Sequence, residues 1–361
     1  MSREEVESLK PVCAKYAFRT NDYYTSLINW NDPADPIRRI IIPQSGELNG
    51  WGRLDASDES RYTKASGLEH KYRDTALLLV NDVCGGYCRF CFRKRLFMEY
   101  NDEVTRDIEP GLEYIRSHPE ITNVLLTGGD PLILSTSKLK GIIGKLREID
   151  HVNIIRIGSK MPAFNPFRIL SDTALSEMFE EFSLPEKRIY LMVHFNHPRE
   201  LTKQAMASIM LVQKSGAIVC NQTPLLKGVN DDPRVLAELL QKLSFAGVPP
   251  YYIFQGRPTS GNYLFALPVE QSFEIFEAAR MWCSGLAKRA RLVMSHSSGK
   301  IEIIGKSHGK TFFRYHRAFH PRKKARFMEF KSNPRAYWFD DYQEIIAEYS
   351  LENPYRCLGP E

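Results

Sequence analysis

Between residues 76 and 283 the chain repeats one pattern six times: a short apolar run rich in β-branched residues, then an amphipathic stretch of helical period. The strand-like runs fall at 76–80, 124–126, 153–157, 188–195, 217–221 and 250–255. The helical stretches fall at 103–117, 137–148, 172–182, 200–215, 232–245 and 269–283, with apolar residues three and four apart, as in Leu236, Leu239, Leu240 and Leu243. Strands alternating with helices must pair in parallel, because each crossover returns the chain to the same edge of the sheet. Six such units predict an α/β fold, a partial (β/α)6 TIM-like barrel, three-quarters of the eight-unit version. Residues 1–70, punctuated by Pro and Asp, read as an N-terminal accessory segment, 71–285 as the core, and 286–361 as short strands followed by a basic tail.

In sheets of this kind chemistry gathers at the carboxyl ends of the strands. The polar motifs of this chain fall there in turn: Thr127-Gly128-Gly129-Asp130-Pro131, Gly158-Ser159-Lys160, His194-Phe195-Asn196-His197, Asn221-Gln222-Thr223 and Gln255-Gly256-Arg257. After the first strand comes Cys-Gly-Gly-Tyr-Cys-Arg-Phe-Cys, which places Cys84, Cys88 and Cys91 at C-x3-C-x2-C spacing. Three thiolates cannot ligate every iron of a four-iron cubane, so one iron stays open to a small molecule. A structural zinc site would need a fourth ligand nearby, and between His70 and His118 there is no histidine to supply it. The other four of the seven cysteines are scattered, which argues against a disulfide framework and reads as small buried apolar residues. His194 and His197 read as hydrogen-bonding groups at the sheet mouth rather than as metal ligands.

Composition bounds the partners. Hydrophobic residues make up 43% and charged residues 25%, the balance of an ordinary soluble enzyme. No apolar run nears the roughly 20 residues of a membrane span, and the polar start is no secretory signal, so a cytoplasmic location is expected and a membrane is not. The net charge of +6 is modest; its visible concentration, Arg314, Arg317, Arg322, Lys323, Lys324 and Arg326, reads as a solvated face, and nucleic acid is the disfavoured partner.

A three-cysteine cubane at the mouth of a partial parallel barrel resembles the radical S-adenosylmethionine (SAM) superfamily. The segments 84–95, 125–131, 155–162, 194–198, 221–231 and 251–255 resemble, in order, the lysine 2,3-aminomutase family. That resemblance implies a [4Fe-4S] cluster on Cys84, Cys88 and Cys91, with SAM chelating the open iron and being cleaved to a 5′-deoxyadenosyl radical. It implies SAM contacts at Tyr87, Gly128, Gly129, Asp130 and Ser159. It also implies pyridoxal 5′-phosphate (PLP) held as a Schiff base on a lysine after a glycine run. The matching residue is Lys300 in Ser297-Ser298-Gly299-Lys300, where serines replace family glycines; Lys310 after Gly309 is a decoy. The phosphate cradle maps to Lys71, Tyr72 and Arg73, with Thr75 in place of a family arginine. A flavodoxin- or ferredoxin-type electron donor and a homo-oligomer are the partners the resemblance suggests, although Cys357 alone cannot form the zinc site of some relatives.

Arg93 matches the family arginine that grips the substrate carboxylate. Where lysine-specific members place the first of two aspartates for the far ammonium, this chain has Arg257, and the second position falls at Met294 or Ser295. Two cations in a dry pocket repel, so the expected substrate is an acid, with glutamate the simplest. The expected activity is isomerisation, an α-amino group moving to the β-carbon. The rival enzyme keeps cluster and radical without PLP and modifies a peptide, protein or RNA; the non-enzymatic rival is an electron carrier.

Overall fold

A computed structural model describes residues 3–98 and 103–350. Thirteen strands form one sheet in strict sequence order: β1 (Thr63–Ala65), β2 (Leu68–Tyr72), β3 (Thr75–Asn81), β4 (Asn123–Gly128), β5 (Ile154–Ser159), β6 (Ile189–Val193), β7 (Ile218–Pro224), β8 (Pro250–Phe254), β9 (Arg291–His296), β10 (Gly299–Ser307), β11 (Lys310–Ala318), β12 (Phe327–Lys331) and β13 (Ile345–Tyr349). Strands β3 to β9 run parallel. Both flanks, β1–β2–β3 and β9 to β13, are antiparallel.

The helices are α1 (Arg3–Lys15), α2 (Asp22–Thr25), α3 (Pro36–Ile41), α4 (Glu109–Arg116), α5 (Thr136–Arg147), α6 (Met161–Phe164), α7 (Phe167–Leu170), α8 (Thr173–Phe182), α9 (Lys203–Lys214), α10 (Pro233–Phe245) and α11 (Val269–Met281). Helices α4, α5, α8, α9, α10 and α11 are the six crossovers. Side chains accept from the first-turn amides at several of their starts: Ser135 before α5, Asp172 before α8, Thr202 before α9 and Asp232 before α10.

The sequence expects six parallel strands; β9 is a seventh. Helix α11 is its crossover, so Arg291–His296 continues the parallel run instead of opening the antiparallel extension. The expected accessory boundary at residue 70 falls inside β2, which pairs with β3.

Alternation along the strands decides what faces where. Val124, Leu126, Ile155, Ile157 and Val219 point into the apolar layer beneath the crossover helices. Their neighbours Leu125, Thr127, Arg156, Gly158 and Gln222 line a cavity of about 330 Å³ on the other face. Residues 24–42 form a smaller core of their own, Tyr24, Ile37, Ile40 and Ile41 packing on Phe164 and Phe265.

Candidate active site

Side chains from strand ends across the whole parallel run meet at this cavity. Cys84, Cys88 and Cys91 are on its wall. Burial raises all three thiols, Cys88 to about 12; Cys84 and Cys88 are raised further by their fellow cysteines, while nearby Lys94, Arg93 and Arg95 pull Cys91 back. Buried in this way they hold their protons until a bound metal cation displaces them to solvent. No group of three or more His, Cys, Asp or Glu among the described residues converges tightly enough for a single ion. A cubane, which offers each thiol a separate iron corner, makes no such demand.

Gly128 and Gly129 come next along the wall. Gly128 has φ +108°, and a Cβ on Gly129 would lie 2.4 Å from the carbonyl oxygen of Val83. Only glycine permits this approach of strand end to cysteine loop. The Asp130 carboxylate is turned inward: Oδ1 accepts from the Leu132 amide at 3.0 Å, and Oδ2 from Ser159 Oγ at 3.0 Å and the Lys160 amide at 2.7 Å. Asp130 and Ser159 therefore stitch the end of β4 to the end of β5. Burial raises the Asp130 carboxyl to about 6 against the pull of those donors.

Tyr87 is not brought to the wall; it stacks on Phe97 with ring centres 4.3 Å apart, and Phe97 lines the cavity instead. A buried network lies beside Cys88, joining Lys160, His194 and Asn196 of the strand-end motifs to Glu200 and Tyr24, which no motif includes. Lys160 Nζ donates to the His194 carbonyl (2.8 Å), Asn196 Oδ1 (2.6 Å) and Glu200 Oε1 (2.6 Å), and Tyr24 also donates to Glu200 Oε1. Burial, with Lys160 nearby, lowers His194 to about 3, so its imidazole is neutral.

Across the cavity Lys300 is the second residue of β10, its Nζ 4.0 Å above the Tyr252 ring. Burial and the cations Arg156, Arg317, Arg257 and Lys71 hold its amine well below the usual lysine range. A neutral buried amine is the form that attacks a carbonyl. The serines that replace family glycines are held in place. Tyr62 donates to the Ser297 carbonyl, and Ser298 Oγ sits 2.7 Å from His296 Nδ1 and 2.8 Å from the Tyr315 hydroxyl. Gly299 keeps the essential conformation, φ +151°, with Arg317 O 2.3 Å from where a Cβ would sit.

Lys71 and Tyr72 line the cavity, but Arg73 does not: it follows the end of β2 in the turn to β3 and projects into solvent. Arg156 and Arg317 occupy the wall in its place. Arg156 was legible in hindsight, since an arginine between Ile155 and Ile157 on an alternating strand must face away from the apolar layer.

Arg93 and Arg257, the arginines expected to meet substrate, converge on Glu59, a residue of the stretch read as the accessory segment. Arg93 grips it through Nε (3.0 Å) and Nη2 (2.9 Å), Arg95 reaches it at 2.8 Å, and Arg257 Nη1 stands 3.8 Å away. The third Arg93 nitrogen donates to Thr127 Oγ1 at 3.1 Å. The arginines hold the Glu59 carboxyl well below its usual range. Neighbouring Glu69 is pushed up by burial and by Glu59. Arg257 lies 3.5 Å over the Phe92 ring, and its buried Nη1 makes no hydrogen bond.

A three-thiol loop at the mouth of a parallel sheet, facing a buried lysine whose charge is disfavoured by burial and by neighbouring cations, is the arrangement expected of a radical SAM enzyme with a second, carbonyl-bearing cofactor. Residues 78–240 match the family described as the Radical SAM superfamily. The chain is 63% identical over 347 residues to a putative L-lysine 2,3-aminomutase of Aquifex aeolicus, covering 96% of this chain and 93% of that one. It is 37% identical to the L-lysine 2,3-aminomutase of Clostridium subterminale (87% and 76% covered) and 33% identical to the glutamate 2,3-aminomutase of Clostridioides difficile (83% and 70%). The chain belongs to the lysine 2,3-aminomutase family, isomerases that use a [4Fe-4S] cluster, SAM and PLP. The donor sets fit that inventory: three buried thiols on one wall suit a cationic cluster, and a buried amine with depressed basicity among arginines suits an aldehyde bearing a phosphate.

Proposed function

We propose that this aminomutase takes an acidic amino acid, glutamate being the simplest, and moves its α-amino group to the β-carbon. The observation that carries the acidic substrate is the buried Arg257 Nη1, which makes no hydrogen bond and has only the Glu59 carboxylate, already gripped by Arg93 and Arg95, at 3.8 Å. Its guanidinium, though lowered to about 10 by burial, is still charged near neutral pH. A buried charged donor without an acceptor is costly, and a carboxylate delivered by substrate relieves that cost. An ammonium in the same place adds to it.

In this reading Cys84, Cys88 and Cys91 hold three irons, and the backbone at Gly128 and Gly129 forms the SAM wall that Asp130 and Ser159 keep in register. Tyr87 supports that wall through Phe97. Lys300 carries PLP, with Arg156, Arg317, Tyr72 and Lys71 offering the cations and donors for its phosphate. When bound, the cluster and SAM supply a radical able to remove hydrogen from the β-carbon, and PLP supplies the conjugated system across which nitrogen shifts. The chain's own part is to place and to exclude. Arg93, held rigid by Glu59 and Thr127, presents a fixed guanidinium to the α-carboxylate, and Arg257 fixes the far carboxylate. The apolar stretch of the wall, Phe92, Phe254 and Leu125, keeps water from the reacting carbon. The parallel strands supporting this wall are read as a partial barrel curved around the cavity. A one-electron donor of the flavodoxin or ferredoxin type would reduce the cluster.

The test is anaerobic reconstitution with SAM, PLP and dithionite, with glutamate and lysine offered side by side. β-Glutamate without β-lysine is the expected product; β-lysine alone overturns the acidic reading and leaves the aminomutase standing.

A further inference from the structure

The loop from Cys84 to Cys91 contains little regular structure of its own; the Cys91 amide donates to the Cys88 carbonyl and the rest is held from outside. Much of that outside is the N-terminal segment, at four successive points. Asn21 Nδ2 donates to the Gly85 carbonyl at 3.2 Å. The Arg19 carbonyl accepts from the Tyr87 amide at 3.0 Å, and the Ile40 carbonyl from the Arg89 amide at 2.8 Å. The Arg89 side chain, which leaves the loop between the second and third cysteines, is seized last. Its Nε lies 2.9 and 3.1 Å from the two Glu47 oxygens, its Nη2 2.7 Å from Glu47 Oε2, and its Nη1 donates to the Ala17 carbonyl at 2.9 Å. Arg89 is 2% exposed and Glu47 not at all.

A buried pair of this kind is tolerable because its geometry is bidentate and its remaining donors and acceptors are met. Glu47 Oε1 also accepts from the Gln44 amide, and Lys94 donates to the Arg89 carbonyl. All four gripping points lie between residues 17 and 47, outside the superfamily match at 78–240.

We propose that Glu47 and Arg89 are positioning residues for the cluster: the N-terminal segment, through this pair and Asn21, fixes the spacing of the three thiols. This rests on the cluster reading above and extends it to residues no cysteine motif includes. Groups that orient metal ligands from outside matter because a flexible loop must be ordered before every iron is held, and each freed rotation weakens retention.

The test compares reconstituted wild type with Glu47→Gln and Asn21→Ser. Glutamine keeps the shape but cannot neutralise Arg89. Serine still caps α2 in place of Asn21, whose side chain accepts from the Tyr24 amide, but is too short to reach Gly85. Circular dichroism checks folding; iron release to a chelator and the paramagnetic resonance spectrum of the reduced cluster, with and without SAM, report the site. Both variants should fold, release iron faster (Glu47→Gln by ~10-fold or more) and give broadened spectra with a weaker response to SAM. Wild-type release and spectra in both overturn the inference. If Glu47→Gln does not fold, Asn21→Ser decides alone. A wild type that assembles no four-iron cluster refutes the cluster reading itself, a separate failure.

Discussion

In the proposed reading Lys300 and Arg257 divide the chemistry of the cavity between them, and each can be tested singly. Borohydride reduction of PLP-loaded enzyme should fix the cofactor to the Lys300 peptide, and Lys300→Ala should abolish both the adduct and turnover; an adduct on Lys310 would overturn the assignment. Arg257→Gln removes one charged hydrogen bond, about 2 kcal/mol, and should raise KM for glutamate ~30-fold with kcat little changed. A large fall in kcat at unchanged KM would place Arg257 elsewhere. The depressed Lys300 amine carries a pH signature. In PLP-free protein, acetic anhydride should label Lys300 down to a pH well below that of exposed lysines, because only the unprotonated amine reacts. Removing a neighbouring cation with Arg156→Gln raises the amine's pKa and should move the fall in labelling to higher pH. That Lys300, the cysteines and Arg257 meet at the cavity was legible because each sits in a local run of distinctive residues. Glu59, Glu47 and Glu200 were not: their meaning comes from partners at residues 93, 89 and 160 that no spacing rule connects to them.

At the scale of strands and helices, periodicity carried the six crossovers to within a few residues, with one large miss. The first helix was expected from residue 103 and begins at Glu109. The flanking strands were harder to read. β1 is exposed or half-buried throughout, β2 buries only Leu68 and Glu69, and β13 keeps Ile345 and Ile346 about half exposed, so neither end of the sheet advertises itself by a continuous apolar run. The Gly128-Gly129 segment reads as a turn when taken alone, and its function as a close-packing element is visible only once Val83 is seen against it. Gly129→Ala forces a methyl into backbone and should cost roughly 2 kcal/mol of stability, measurable as a lowered urea midpoint. An unchanged midpoint would mean the two loops can part freely.

Across the whole molecule, three of the six cations that the sequence concentrates near the C-terminus sit against carboxylates. Arg314 is paired with Glu302, Arg317 with Asp74 and Arg326 with Glu348. Nonspecific RNA affinity at ~150 mM salt should therefore be no tighter than about 10 µM, read by fluorescence anisotropy; a tighter, steeply salt-dependent complex would revive an RNA substrate. The sheet itself has a larger consequence. The cysteines follow the end of β3 and Lys300 is the second residue of β10, and a continuous ladder of backbone hydrogen bonds joins those strands through every neighbour between them. The two reactive poles are thus mounted on one rigid jig, with their span set by strand count and register. Retooling the enzyme for a new amino acid means recutting the lining, at positions such as Arg257, while the clearance between the poles stays as the ladder cast it.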